Sequence, residues 1–250
     1  YNIISLTDAN GCTTGSLSTT ATVNVSSGPG SASISGSTSI CNGASTDITF
    51  DITGGNSPFD IVYTDGSSNF TLTDVPDGHQ EPVSPASTTT YTLVSVTDDN
   101  GCTAGGLSGN AVVTVNATPS AASLFTSGVG LICSGSSTTI QATITGGTSP
   151  FTVEIDNGLG ILTNYTVGTD ITVSPASTTT YNITALTDAN GCSTSNFSTT
   201  ATVNVSQGPS AALLSGSATI CAGETTDLKV DLTGGTSPYT IEIDNGVGTI

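Results

Sequence analysis

YNIISLTDANGC (residues 1–12), YTLVSVTDDNGC (91–102) and YNITALTDANGC (181–192) are one twelve-residue phrase written three times, 90 residues apart. A second phrase recurs around it. ICNGASTDITFDITGGNSPF starts at Ile40, ICSGSSTTIQATITGGTSPF at Ile132 and ICAGETTDLKVDLTGGTSPY at Ile220, with spacings of 92 and 88. The two-residue excess falls between Pro119 and Cys133 and is cancelled between Pro150 and Tyr181, as expected of loops varying around a fixed scaffold. A period near 90 is too long for most solenoid units and suits one small β-sandwich. The breaks fall at SSGPGS, NATPSA and SQGPSA, each short and built around a proline. They divide the chain into a C-terminal domain part (1–28), two whole domains (29–118 and 119–208) and an N-terminal part (209–250).

Within each repeat the hydrophobic period is 2. DITFDIT places Ile48, Phe50 and Ile52 on one face and Asp47, Thr49 and Asp51 on the other. FTVEIDN does the same with Phe151, Val153 and Ile155, ATVNVS with Ala201, Val203 and Val205, and DLKVDLT with Leu228, Val230 and Leu232. Such alternation reads as half-buried antiparallel strands, and no stretch carries a long 3.6-residue stripe. Turn signals (GGNSP, TDG, PDG, TDDNG, IDNG) separate about seven strands per repeat. The expected fold is all-β: tandem immunoglobulin-like antiparallel sandwiches of about 90 residues, as beads on a string. Strands F and G would be Tyr91–Thr97 and Ala111–Val115. Tyr91 and Tyr181, each after VSPASTTT or its equivalent, read as tyrosine-corner residues or as plain strand aromatics.

The composition excludes several functions. The chain holds 19 acidic residues, one lysine (Lys229), no arginine and one histidine (His79), for a net charge of −18. Nucleic-acid binding needs basic residues to neutralise phosphates, and so does attraction to an anionic membrane. No apolar run approaches the ~18 residues of a membrane-spanning helix, so no membrane insertion is expected in this segment. A hydrophobic share of 35% argues against disorder. With no GxSxG, HExxH, P-loop or paired-carboxylate constellation, no enzyme activity is expected.

Six cysteines occupy two contexts: ICxG (Cys41, Cys133, Cys221) and DxNGC (Cys12, Cys102, Cys192). One of each per domain implies a disulfide framework in an oxidising compartment. The expected pairs are Cys41–Cys102 and Cys133–Cys192, with Cys12 and Cys221 paired outside the fragment. A competing geometry puts the two cysteines of a domain at opposite ends of the sandwich and links ICxG of one domain to DxNGC of the next, as in Cys41–Cys192.

Among oxygen-bearing loops, Asp98, Asp99, Asn100 and Asp188 are the candidate metal ligands, and calcium is the one cofactor considered. Asp156–Asn157–Gly158 and Asp244–Asn245–Gly246 add further oxygens. The competing reading is that Asn-Gly and Asp-Gly supply the positive φ of tight turns, and residues 9 and 189 are Ala where 99 is Asp. His79 has no counterpart in the other complete repeat and reads as a solvated loop residue. Lys229, between Asp227 and Asp231, reads as a surface ion-pair partner. Sequons occur at Asn24, Asn69, Asn116, Asn164, Asn182, Asn196 and Asn204.

The ordered set ICxG, GGTSPYT, SPASTTTY, TDANGC and TATVNV resembles the Ig-like and PKD-like repeats of giant secreted adhesins of Bacteroidota, in particular the SprB-type repeat. The segment Asp65–Ser87 is longer than in the short SprB-type unit. The resemblance implies a secreted, cell-surface adhesin or filament, with adhesion or gliding motility as its role. Expected partners are neighbouring repeats, with surface glycans or other cells at the far end. A polymerising pilin or sheath subunit completed by strands from its neighbours is one alternative. A carbohydrate-binding module is another, against which stands the absence of Trp.

Overall fold

The computed structural model describes residues 1–15 and 20–244, and these form strands, turns and loops with no helix among them. Asn245 and Gly246, which the sequence grouped with Asp244, lie outside the described residues. Two compact units divide the chain, Tyr1–Val115 and Asn116–Ile250.

The first unit begins with a small ladder, β1 (Leu6–Thr7) against β2 (Thr13–Thr14). Nine strands follow: β3 (Pro29–Ser35), β4 (Thr38–Cys41), β5 (Thr46–Gly54), β6 (Phe59–Thr64), β7 (Asn69–Val75), β8 (His79–Val83), β9 (Thr89–Asp98), β10 (Leu107–Ser108) and β11 (Ala111–Asn116). They make two sheets, ordered β10-β3-β5-β8 and β4-β11-β9-β6-β7. After β9 the chain crosses to pair β10 parallel to β3, then returns as β11 antiparallel to β9, with Ala111 opposite Tyr91. The core is the set of inward residues from both sheets. Ala32, Ile34, Ile48, Phe50 and Ile52 meet Ile61, Tyr63, Tyr91, Val96 and Val113. Ile48, Phe50 and Ile52 are buried while Asp47 and Asp51 are exposed, so the period-2 pattern holds residue by residue. Each fully buried Ile or Phe here contributes on the order of 1.5–3 kcal/mol of apolar burial.

The second unit repeats the plan with β12 (Pro119–Thr126), β13 (Leu131–Cys133), β14 (Thr138–Gly146), β15 (Phe151–Ile155), β16 (Gly160–Tyr165), β17 (Ile171–Val173), β18 (Thr179–Tyr181), β19 (Ile183–Thr187), β20 (Ser193–Thr194) and β21 (Ala201–Ser206). One side is β12-β14-β17; the other comprises β13-β21-β18 and β16-β15-β19-β20. Only Asn182 separates β18 from β19. Its backbone N–H and side-chain amide both donate to Asp156, each at 2.7 Å, in place of a ladder bond. Leu124, Ile140, Val153, Ile155, Leu186 and Val203 fill the core. The two architectures are those of an immunoglobulin-like sandwich.

The spacing differences fall in loops. The two-residue excess lies in the turn between β12 and β13. The compensating loss is at the hairpin tip, where six residues, Thr64–Asn69, lie between the paired Tyr63 and Phe70 but four, Asp156–Leu159, lie between the equivalent Ile155 and Gly160. A final ladder pairs β22 (Pro209–Ser215) with β23 (Lys229–Gly234). Leu228, expected to face a core, is 53% exposed, because among the described residues this ladder has no opposing sheet.

The GGxSP turn explains the breaks in the sequence. Gly54 and Gly55 both take positive φ (79° and 78°), and a Cβ on Gly55 would lie 2.8 Å from the ring of Pro29. Gly147 stands in the same way 2.8 Å from Pro119. The linker prolines thus open the first strand of each sandwich and pack on its glycine pair, rather than acting as free spacers.

Candidate functional site

The repeated TDxNGC phrase forms a loop anchored by its aspartate. Asp98 is buried, at 5% exposure. Its Oδ1 accepts the backbone N–H of Asn100 (3.1 Å) and of Cys102 (2.9 Å), and its Oδ2 accepts the N–H of Asn56 (3.1 Å). Asp188 repeats this with Asn190 (2.9 Å), Cys192 (2.8 Å) and Thr148 (2.9 Å). Asp8 accepts the N–H of Asn10 (3.0 Å) and Cys12 (2.8 Å). Gly11, Gly101 and Gly191 each take positive φ and donate back to the carbonyl of their aspartate. The N–H of Asp99 donates to the carbonyl of Asn56, and that of Ala189 to Thr148. GGxSP and TDxNGC, far apart in the chain, are therefore one junction. In the first unit Ser26 joins it, accepting from the Asn100 side-chain amide at 3.1 Å.

The Cys102 N–H, helped by those of Asn56 and Asn100, holds the Asp98 carboxyl below the usual carboxylate range. The same type of bonding holds Asp65 low, chiefly through the Ser68 N–H, and Asp170 low through the Gln141 side chain. In a chain with one lysine and no arginine, these acids are stabilised by amide and hydroxyl donors rather than by cations. Lys229 does pair with Asp231 at 2.7 Å on the surface.

The candidate metal ligands occupy these loops. Asp98, Asp99 and Asn100 share one turn, and Asp188 sits in the corresponding turn of the other unit. Three of the roughly four lone-pair sites on Asp98 and on Asp188 already receive N–H donors. Donor hydrogens disfavour a cation at the same oxygens. Asp99 and Asn100 are exposed, and Asp99 borders a cleft of about 220 Å³ with Asp60, Asp74 and Asp98. In register, Thr152, Asn164 and Ala189 stand where the first unit has Asp60, Asp74 and Asp99. Among the described residues no group of three or more His, Cys, Asp or Glu side chains is arranged to hold a metal ion.

The cysteine pairing requires correction. Cys41 and Cys192 are disulfide-bonded, whereas Cys12, Cys102, Cys133 and Cys221 carry free thiols. Neither Cys41–Cys102 nor Cys133–Cys192 forms. Register shows why. Cys133 pairs with Ser206 at the far end of β21, beside the start of β18. Cys192 follows the end of β19 at Thr187. Eight residue steps of about 3.3 Å separate the ends of that strand pair, roughly 26 Å, against the ~7 Å a disulfide permits between Cα atoms. Cys102 instead directs its thiol at the Ser26 carbonyl, 3.9 Å away.

The tyrosine-corner assignment also moves. Tyr91 and Tyr181 bury their rings, but their hydroxyls make no hydrogen bond among the described residues. The bonding tyrosine is Tyr165. Its hydroxyl accepts the Ala142 N–H at 2.9 Å and lies 3.0 and 3.1 Å from the carbonyls of Ala142 and Thr169. Short β17 ends its pairing with β14 at Ile140, and Tyr165 satisfies the next backbone group along. The longer β8 reaches Phe50, and there Asp77 accepts the Ile52 N–H at 2.7 Å. His79 is half-buried, stacks on Phe50 and lies 3.4 Å from Glu81; it is a strand residue, not a loop residue. No motif marks Asn56, Thr148 or Tyr165, although Asn56 and Thr148 stand at one place in the repeated GGxSP phrase.

No family model and no curated protein matches the chain. Solved structures similar to it include the fibronectin(III)-like modules of Clostridium thermocellum CbhA, at 12% identity, TM-score 0.33, over 70% of this chain and 94% of that one. The eight N-terminal Ig domains of Down Syndrome Cell Adhesion Molecule match at 12% identity and TM-score 0.28, over 82% of this chain and 30% of that one. Four N-terminal Ig domains of Dscam1 match at 12% identity and TM-score 0.27, over 70% and 44%.

Proposed function

We propose that this chain is a mechanical repeat segment of an extracellular adhesin stalk or cell-surface filament, of the SprB-like kind its motifs resemble, serving adhesion or gliding. The observation that carries this reading is the aspartate-anchored TDxNGC turn, formed at Asp8, Asp98 and Asp188 and tied to the GGxSP loop in the same way by Asp98 and Asp188. What recurs is a brace between loops, and a brace repeated at 90-residue intervals serves the scaffold rather than a reaction. The disulfide bonding of Cys41 and Cys192 supports an oxidising, extracellular setting. The outward acids Asp47, Asp51 and Glu154 supply a negative, soluble coat. The segment works without a cofactor, and its partners are neighbouring repeats and, at the tip of the whole assembly, glycans or other cells.

Single-molecule stretching of the reduced chain tests the proposal. The domains 29–118 and 119–208 should unfold as two separate events, each releasing roughly 30 nm of chain at about 3.5 Å per residue. One concerted event, or extension without force peaks, would rule out the bead-like stalk.

A further inference from the structure

The first sandwich carries a feature that the second lacks. Tyr63 and Phe70 stack across β6 and β7 with ring centroids 5.1 Å apart, and Tyr91 lies 6.2 Å from Tyr63. With Glu81 and Pro85 they line a cleft of about 270 Å³. It shares Pro85 and Tyr91 with a neighbouring hollow of about 550 Å³ that Asp65 borders. Phe70 is 39% exposed, and the hydroxyls of Tyr63 and Tyr91 have no hydrogen-bond partner among the described residues. In register, the second unit has Ile155 for Tyr63, Gly160 for Phe70 and Ile171 for Glu81. Tyr63 and Tyr91 are core residues, at 4% and 6% exposure, and Tyr181 is the counterpart of Tyr91. What core packing does not require is the exposed Phe70 ring and Glu81 beside them.

The chemistry of the set is specific. Aromatic faces attract cations through the ring quadrupole, most strongly where a carboxylate supplies counter-charge nearby. Burial first, then the charge of Glu81, pushes the Tyr63 hydroxyl up to about 12. The carboxylates of Glu81 in the cleft and Asp65 in the adjoining hollow give the site its negative charge. Among the described residues Glu81 has one ion-pair partner, half-buried His79 at 3.4 Å, while the chain's single lysine pairs with Asp231. A neutral or anionic ligand would leave this potential uncompensated. We propose that this cleft binds a small organic ammonium ion, with its alkylated nitrogen against the exposed Phe70 ring at the edges of Tyr63 and Tyr91 and with Glu81 as its counter-ion.

Titration of the full chain with tetramethylammonium chloride, at constant ionic strength held with NaCl, tests this. Tyrosine fluorescence and NMR shifts of the Phe70 and Tyr91 rings are the readouts. Saturable binding is expected, weakened about three- to fivefold by Phe70→Ala and by Glu81→Gln. Neither variant should alter the melting of the second unit, and Phe70→Leu, which keeps the packing but not the π face, separates binding from folding. A linear response equal to that of NaCl alone would overturn the proposal. So would wild-type affinity in both variants, or preferential saturation by the neutral trisaccharide maltotriose.

Discussion

Replacing Tyr165 by Phe removes one oxygen atom and leaves the ring, which is 5% exposed, in its packing. The cost is then confined to hydrogen bonding. The Ala142 N–H loses its acceptor at 2.9 Å, and the carbonyls of Ala142 and Thr169 lose a donor. Ala142 is fully buried beyond the last β14–β17 pair, so water cannot replace the hydroxyl without opening the sheet edge. An unsatisfied buried backbone group costs about 1–3 kcal/mol, and we expect about 2 kcal/mol here. For a sandwich of this size that corresponds to a fall in Tm on the order of 10 °C. Tyr91→Phe and Tyr181→Phe, whose hydroxyls bond to nothing described, should each cost less than about 0.5 kcal/mol. Calorimetry measures the melting, and amide hydrogen exchange locates the loss at Ala142. If Tyr165→Phe melts within about 1 °C of the parent, or if Tyr181→Phe is the more damaging change, the reasoning about sheet-edge capping is wrong.

Asp188→Ala should destabilise the second unit by about 2–4 kcal/mol, since three backbone N–H groups lose a charged acceptor; chemical denaturation of that variant measures it. Acid should act through the depressed carboxyls of Asp65, Asp98 and Asp170. Because their folded values lie below the unfolded ones, their stabilisation is complete above about pH 5 and is lost as pH falls below about 4, which a Tm–pH series would show. Alkylation of the unreduced chain followed by peptide mapping should label Cys12, Cys102, Cys133 and Cys221 and spare Cys41 and Cys192. Chelation with EDTA should leave the Tm unchanged, because the Asp98 and Asp188 oxygens are already taken by N–H donors; a fall of several degrees would restore calcium as a ligand of these loops.

Much of the fold was legible because strand burial is a local property. Ile48, Phe50 and Ile52 alternate with Asp47, Thr49 and Asp51, and a pleated strand must send such residues to opposite faces. The candidate site was legible only in part. Asp98 and Asp188 stand out in the sequence as oxygen-bearing turn residues, but their partners Asn56 and Thr148 lie about 40 residues upstream, and no spacing rule links them. Leu228 shows the limit from the other side: its alternation is sound, yet burial also requires an opposing sheet.

By itself the sequence determined the repeat, its 90-residue period, the all-β class and the positions where glycine must take positive φ, since each follows from interactions within a few residues. Only the tertiary structure decided which cysteines are bonded, which tyrosine satisfies a sheet edge and that GGxSP and TDxNGC form one junction. Those outcomes depend on which strand ends share an end of the sandwich. A strand of nine residues carries its termini about 26 Å apart, so one sheet-crossing determines whether two groups can meet.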